Sequence, residues 1–181
     1  LTKPDNFYML DHEGGRVNRI KSPLIAADKL NPENEDDYYH QWNKDLTTIK
    51  QKCVNVILGP TVDVNYGDRS YSKDLKNNLQ IALPIVSAIE RKGMLPVIKH
   101  FPGEMLNCVD KFARKEVRSC PQGFEEINEE WKNFNPDNFP AIMMSNYIYE
   151  KASPLPAVMD DKMYKYLKNT LGYKGLIITD A

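Results

Sequence analysis

The chain has 181 residues, with 24 lysines and arginines against 25 aspartates and glutamates and a formal net charge of −1. Hydrophobic residues make up 41% and charged residues 27%, the balance of one globular domain long enough to bury a core. Basic side chains are scattered among acids, which speaks against nucleic-acid or anionic-membrane partners, and no apolar run approaches the roughly 18 residues a membrane helix needs.

The first residues, Leu1-Thr2-Lys3-Pro4-Asp5-Asn6, contain no apolar signal-peptide core. A cytoplasmic and an exported location both stay open. In chain order, residues 7–10 read as a strand that runs into Asp11-His12-Glu13-Gly14-Gly15-Arg16. A polar stretch over 31–37 leads into a helix near 38–52, and 54–58 reads as a second strand ending in Val62-Asp63-Val64-Asn65. Residues 73–91 place Leu75, Leu79, Leu83 and Val86 on one helical side, with Pro84 expected to kink or break the helix. Residues 95–98 form a third strand that meets Lys99-His100-Phe101-Pro102-Gly103, and a helix follows near 124–134. Residues 141–144 are a fourth strand ending in Ser145-Asn146. A helix over 159–171 is closed by Gly172, and the fifth strand, 176–179, delivers Asp180.

Apolar strands alternating with helices indicate a parallel sheet covered on both faces, either doubly wound or a (β/α) barrel. All five strands end in polar or charged groups, which favours a barrel whose site draws on many strand ends. The motifs admit two readings each. Asp180 is a pocket carboxylate able to attack an electrophilic carbon, or the N-cap of a following helix. Lys99 and His100 enter a pocket together only if the strand turns there, and Pro102-Gly103 supplies a turn; otherwise they are a surface lysine and a backbone-satisfied histidine. Asp11 with Gly14-Gly15 suits a tight loop whose carboxylate accepts hydroxyl hydrogen bonds, or an ordinary turn. Arg69 is a ligand clamp or a partner for Asp63. No phosphate-loop pattern occurs.

Cys53, Cys108 and Cys120 match no zinc spacing. Cys108 and Cys120 are either a disulfide, in an oxidising compartment, or two loop thiols; Cys53 reads as a small buried hydrophobe.

In order and spacing these segments resemble glycoside hydrolase family 3, in particular its bacterial β-N-acetylglucosaminidases. Asp11-His12-Glu13-Gly14-Gly15-Arg16-Val17 is similar to that group's Asp-Gln-Glu-Gly-Gly-Arg-Val, and Gly59-Pro60-Thr61-Val62-Asp63-Val64-Asn65 to its Ala-Pro-Val-x-Asp-x-Asn. Gly67-Asp68-Arg69-Ser70-Tyr71 resembles Gly-x-Arg-Ser-Phe, and Lys99-His100-Phe101-Pro102-Gly103 reproduces Lys-His-Phe-Pro-Gly. The stretch from Gly172 to Ala181 looks like the segment that carries the nucleophile. The resemblance implies a barrel and a retaining cleavage of non-reducing terminal β-linked N-acetylglucosamine without metal or other cofactor. Asp11, Arg69, Lys99 and His100 would hold the sugar and Asp180 would attack C1. Peptidoglycan fragments and chitooligosaccharides are the substrates it suggests, with peptidoglycan recycling as the setting.

Two departures matter. Asp110 falls on the aspartate of the group's Asp-x-His acid/base dyad, but Phe112 stands where the histidine belongs, and a phenyl ring carries no proton. Asp110, Glu104 or Glu116 could substitute for it, Asp110 being counted with Asp180 among the catalytic residues, and Asn146 replaces a histidine common after the fourth strand. The chain also supplies about five of eight barrel strands, so residues 1–181 are expected to be an incomplete catalytic barrel domain, completed by flanking sequence or by another chain. The rival function is a sugar-binding or scaffold protein impaired by the loss of that histidine; a β-glucosidase-like specificity is a third.

Overall fold

The computed structural model describes residues 6–105, 108 and 118–180. It is an α/β fold. In chain order come strands β1 (Met9–Gly14) and β2 (Val17–Asn18), helix α1 (Glu35–Lys50), β3 (Val56–Thr61) and α2 (Leu75–Arg91). β4 (Leu95–Phe101), β5 (Ser119–Cys120), α3 (Phe124–Trp131), β6 (Ala141–Met144), β7 (Ile148–Tyr149), α4 (Asp161–Lys165) and β8 (Leu176–Thr179) follow. The main sheet has the order β2-β1-β3-β4-β6-β8, with β1, β3, β4, β6 and β8 mutually parallel and β2 turned back antiparallel on β1. β5 and β7 pair separately beyond the ends of β4 and β6.

Side chains alternate across these strands, and the alternation sets the layers. Ile57, Ile98, Ile142 and Met144 face the helices. There Tyr38, Trp42, Leu46 and Ile49 of α1, and Leu79, Ala82, Ile85, Val86 and Ile89 of α2, are buried. The spacing of three and four along both helices puts those residues on the sheet-facing side. Burial of each large aliphatic side chain contributes roughly 1.5–3 kcal/mol. The opposite face holds Val56, Val97, Ala141 and Met143, with Leu58, Leu95 and Ile178 beside them and no helical residue among them. Among the described residues the helices lie on one face only, which distinguishes a stretch of barrel wall from a doubly wound sheet, the alternative left open by the sequence.

Several element boundaries differ from the sequence reading. The first strand runs to Gly14, because it pairs with β3 through Asp11 and with β2 beyond it, so Asp11 and Glu13 are strand residues rather than loop residues. Gly14 takes φ 92, and a Cβ there would stand 2.3 Å from the Ile25 carbonyl oxygen, which admits glycine alone at this turn. α2 runs unbroken through Pro84. The carbonyl that Pro84 leaves without a helical partner belongs to Gln80, an exposed residue. The last helix is split, because the Asp160 side chain accepts the Lys162 amide at 2.9 Å and caps a start at Asp161; a π turn over Tyr166–Thr170 then ends before Gly172 at φ 69. Cys53 is exposed, at φ 63 in the turn after α1, and not a buried hydrophobe. Cys108 and Cys120 form a disulfide. Among the described residues no helix is long and apolar enough to cross a membrane.

Candidate active site

The C-terminal ends of the parallel strands converge on a cavity of about 740 Å³, the size range of small-molecule sites. Asp11 and Glu13 reach it from β1, Arg69 from the turn over Gly67–Arg69 after β3, Lys99 and His100 from β4, and Asp180 from the residue after β8. Asp110 and Glu116 lie outside the described residues, as does Phe112. Every other residue singled out for the site from the sequence lines this one cavity.

A chain of buried charges organises its floor. Lys99 Nζ, 3% exposed, donates to Asp11 Oδ1 at 2.6 Å and to Glu13 Oε1 at 2.7 Å. Arg69 grips the same Glu13 with both fork positions, Nε to Oε2 at 2.8 Å and Nη2 to Oε1 at 2.9 Å. Burial alone would raise the Glu13 carboxyl. The Arg69 hydrogen bonds and the charge of Lys99 outweigh it and hold Glu13 below its ordinary value. Burial pulls Arg69 down, but Glu13 more than compensates and raises it. Arg69 therefore pairs with Glu13 and not with Asp63, the partner considered from the sequence. Glu13 is not among the residues the sequence reading assigns to the site; it lies two residues after Asp11, hence on the same face of a strand, and that period is the signal that marks it.

His100 is held from the other side. Its Nδ1 donates to Asp63 Oδ2 at 2.7 Å, and its backbone amide donates to Asp63 Oδ1 at 3.0 Å. Burial pulls the imidazole down, while the charge and hydrogen bond of Asp63 outweigh this and raise it above its ordinary value. Asp63 itself is pushed up by burial and brought down further by His100, ending below the usual carboxylate value. His100 Nε2 then points toward Asp180, 3.9 Å from its Oδ2. The Lys99–His100 peptide is cis, and both side chains line the cavity although the strand continues to Phe101. The Asp180 carboxylate is 33% exposed, and its amide donates to the Met144 carbonyl at 3.3 Å, which ties the end of β8 to β6.

His12 faces away from the cavity. It is fully buried beside Trp42, with Nε2 2.9 Å from Asp45 Oδ2 on α1, so it pins the strand whose alternate residues are Asp11 and Glu13. Asp63, His100 and Glu104 each bring a potential ligand atom within 4.8 Å of one another, the spacing a divalent cation uses. Both Asp63 oxygens already accept two hydrogen bonds each. His100 N and Glu104 N donate to Oδ1, and His100 Nδ1 and Thr61 Oγ1 donate to Oδ2. A cation would have to displace these donors.

Comparison with known proteins identifies the family and the fold. The family model described as "Glycosyl hydrolase family 3 N terminal domain" matches residues 6–181. A β-hexosaminidase of Methylobacillus flagellatus is 24% identical over 204 residues, covering 99% of this chain and 57% of the relative. A β-hexosaminidase A of Pseudoalteromonas piscicida is 28% identical, covering 97% of this chain and 34% of that protein. The chain thus spans little more than half the length of the first relative and a third of the second. Among solved structures, NagZ from Neisseria gonorrhoeae in complex with N-trifluoroacetyl-D-glucosamine superposes with a TM-score of 0.80 at 20% identity, over 96% of this chain and 57% of that one. That likeness shows the fold.

Proposed function

The chain belongs to the family of the glycosyl hydrolase family 3 N terminal domain, and on that premise we propose that its cavity hydrolyses non-reducing terminal β-linked N-acetylglucosamine with retention of configuration, Asp180 being the nucleophile. The observation that carries this reading is the common cavity: a strand-end carboxylate stands among a lysine, an arginine, a histidine and a half-open aspartate. Similar proteins named β-hexosaminidase support the substrate class.

Each group has capacity left for a sugar. Lys99 has three ammonium protons and uses two on Asp11 and Glu13, so the third serves a ring hydroxyl. Arg69 keeps N–H groups beyond the two that grip Glu13. Asp11, 41% exposed, is held by Lys99 through one oxygen and offers the other to a pair of hydroxyls. Because these side chains are pinned by buried partners, the sugar meets preorganised donors, which lowers the cost of orientation. Attack by Asp180 on C1 gives a glycosyl ester that water then cleaves, both steps passing through an oxocarbenium-like state that the carboxylate stabilises.

The test is release of 4-nitrophenol from its β-N-acetylglucosaminide by the protein and by Asp180→Asn. Loss on the order of 10⁴-fold or more is expected, and equal rates remove Asp180 as nucleophile. Phe112, standing where the resemblance implies a histidine, favours a second reading: a sugar-binding protein without turnover. That reading requires calorimetric binding of N-acetylglucosamine with no product, and enzyme-like turnover excludes it.

A further inference from the structure

Resting on that glycosidase reading, we propose that Glu104 is the general acid/base of the reaction, supplying the proton that the residue at Phe112 cannot. Glu104 follows Gly103 just beyond β4, and its side chain lines the cavity although it is only 4% exposed. Ser145, at the end of β6, donates Oγ–H to Glu104 Oε1 at 2.8 Å, and the same Oγ accepts the Tyr147 amide at 3.0 Å. Oε2 stands 3.5 Å from His100 Nδ1, and the other ring nitrogen of His100 is 3.9 Å from Asp180 Oδ2. One imidazole therefore separates the two carboxyl groups across a single cavity.

Among the described residues, the remaining carboxyls of the cavity wall are held by cations. Glu13 is gripped by Lys99 and Arg69, and Asp11 by Lys99. Asp63 behind the wall has all its acceptor positions filled. Among the described residues, the groups facing Glu104 are His100 from β4, Asp63 after β3, Ser145, Tyr147 and Tyr149 at β6 and β7, and Asp180 after β8. Burial comes first and, with the charges of Asp63 and Asp180, outweighs His100 and the Ser145 hydrogen bond; the carboxyl is held above its ordinary value of 4.5. A retaining glycosidase needs a proton donor beside its nucleophile, and Glu104 lines the same cavity as Asp180.

In the first step the Glu104 proton passes to the glycosidic oxygen as the C1–O bond breaks and an Asp180 oxygen bonds to C1, releasing a neutral alcohol. In the second, the Glu104 carboxylate takes a proton from water as the water oxygen bonds to C1 and the Asp180 ester breaks. Both carboxyl groups return to their starting states.

The test compares Glu104→Gln with the parent on N-acetylglucosaminides of graded leaving-group basicity, with and without sodium azide. For a poor leaving group kcat/KM is expected to fall about 10²–10⁴-fold. The 2,4-dinitrophenyl substrate, which needs no acid, is expected to keep most of its kcat/KM. Azide is expected to accelerate the variant and yield the β-glycosyl azide, and the alkaline limb of the parent's pH profile is expected to vanish. Glu104→Asp, which keeps a carboxyl, is expected to retain the parent's leaving-group dependence. A uniform loss over all leaving groups without azide rescue, or no loss, overturns the assignment of Glu104. If Asp180→Asn is inactive in the same series, the glycosidase reading survives that outcome; if Asp180→Asn matches the parent, the reading itself falls.

Discussion

Asp63 holds His100 twice, through the ring Nδ1 at 2.7 Å and through the backbone amide at 3.0 Å. One fully buried carboxylate thus sets both the position of β4 at this point and the charge of the imidazole that faces Asp180. The strand end and the site chemistry are coupled through a single residue.

That pair makes stability depend on pH in a defined sense. The folded His100 imidazole is raised above its ordinary 6.5, so its contribution is complete below that value and is lost as pH rises through the folded one. Folded Asp63 lies below its ordinary 3.8, so its contribution is present above that value and is lost as pH falls through the folded one. Thermal unfolding midpoints followed from pH 4 to pH 9 are expected to decline on the alkaline side, and the decline should be shallower in His100→Gln. An identical alkaline decline in the variant contradicts the coupling.

Glu13 is the shared partner of two cations, and its removal leaves Lys99, 3% exposed, and Arg69, 15% exposed, facing each other. Breaking a buried pair from one side costs about 3–5 kcal/mol. Urea denaturation of Glu13→Ala is expected to show a loss of that order, together with weaker sugar binding. A loss below about 1 kcal/mol means that the cations are solvated in the folded protein.

The Cys108–Cys120 disulfide closes a loop of sequence separation 12. Loop closure of this length contributes about 3 kcal/mol by chain entropy, and such bonds persist in oxidising surroundings. The Cys108→Ser, Cys120→Ser protein is expected to unfold at lower urea concentration by that amount. Unchanged stability, or two free thiols at these positions by mass spectrometry, contradicts the pairing.

The parts of the site that the sequence made readable are those that a strand period announces. Asp11, Lys99 and Asp180 each follow an apolar run, which places them toward the C-terminal ends of parallel strands, although β1 and β4 continue past Asp11 and Lys99. Arg69 was readable as a clamp but its partner was not, because only the folded sheet decides that β1 delivers Glu13 to the Arg69 fork while Asp63 is taken by His100. Glu104 was readable, with Asp110 and Glu116, as an acid able to stand in for the missing histidine, but its surroundings were not. Its burial depends on Ser145, 41 residues away, and no local pattern encodes that contact. Pro84 misled for a related reason, since a proline whose unpaired carbonyl partner lies on the exposed side of a helix need not break it. The polar residue that did shift a boundary was Asp160, whose cap starts the last helix later than its apolar pattern suggests.

The central claim is that the carboxylate of Asp180 bonds to the anomeric carbon. It is tested most directly by incubating the protein with a slowly hydrolysed 5-fluoro-N-acetylglucosaminyl fluoride and locating the adduct by peptide mass spectrometry. The account predicts one sugar attached to the peptide that carries Asp180, with none formed in Asp180→Asn. A sugar attached at another residue, or no adduct from a protein that turns over the parent glycoside, contradicts it.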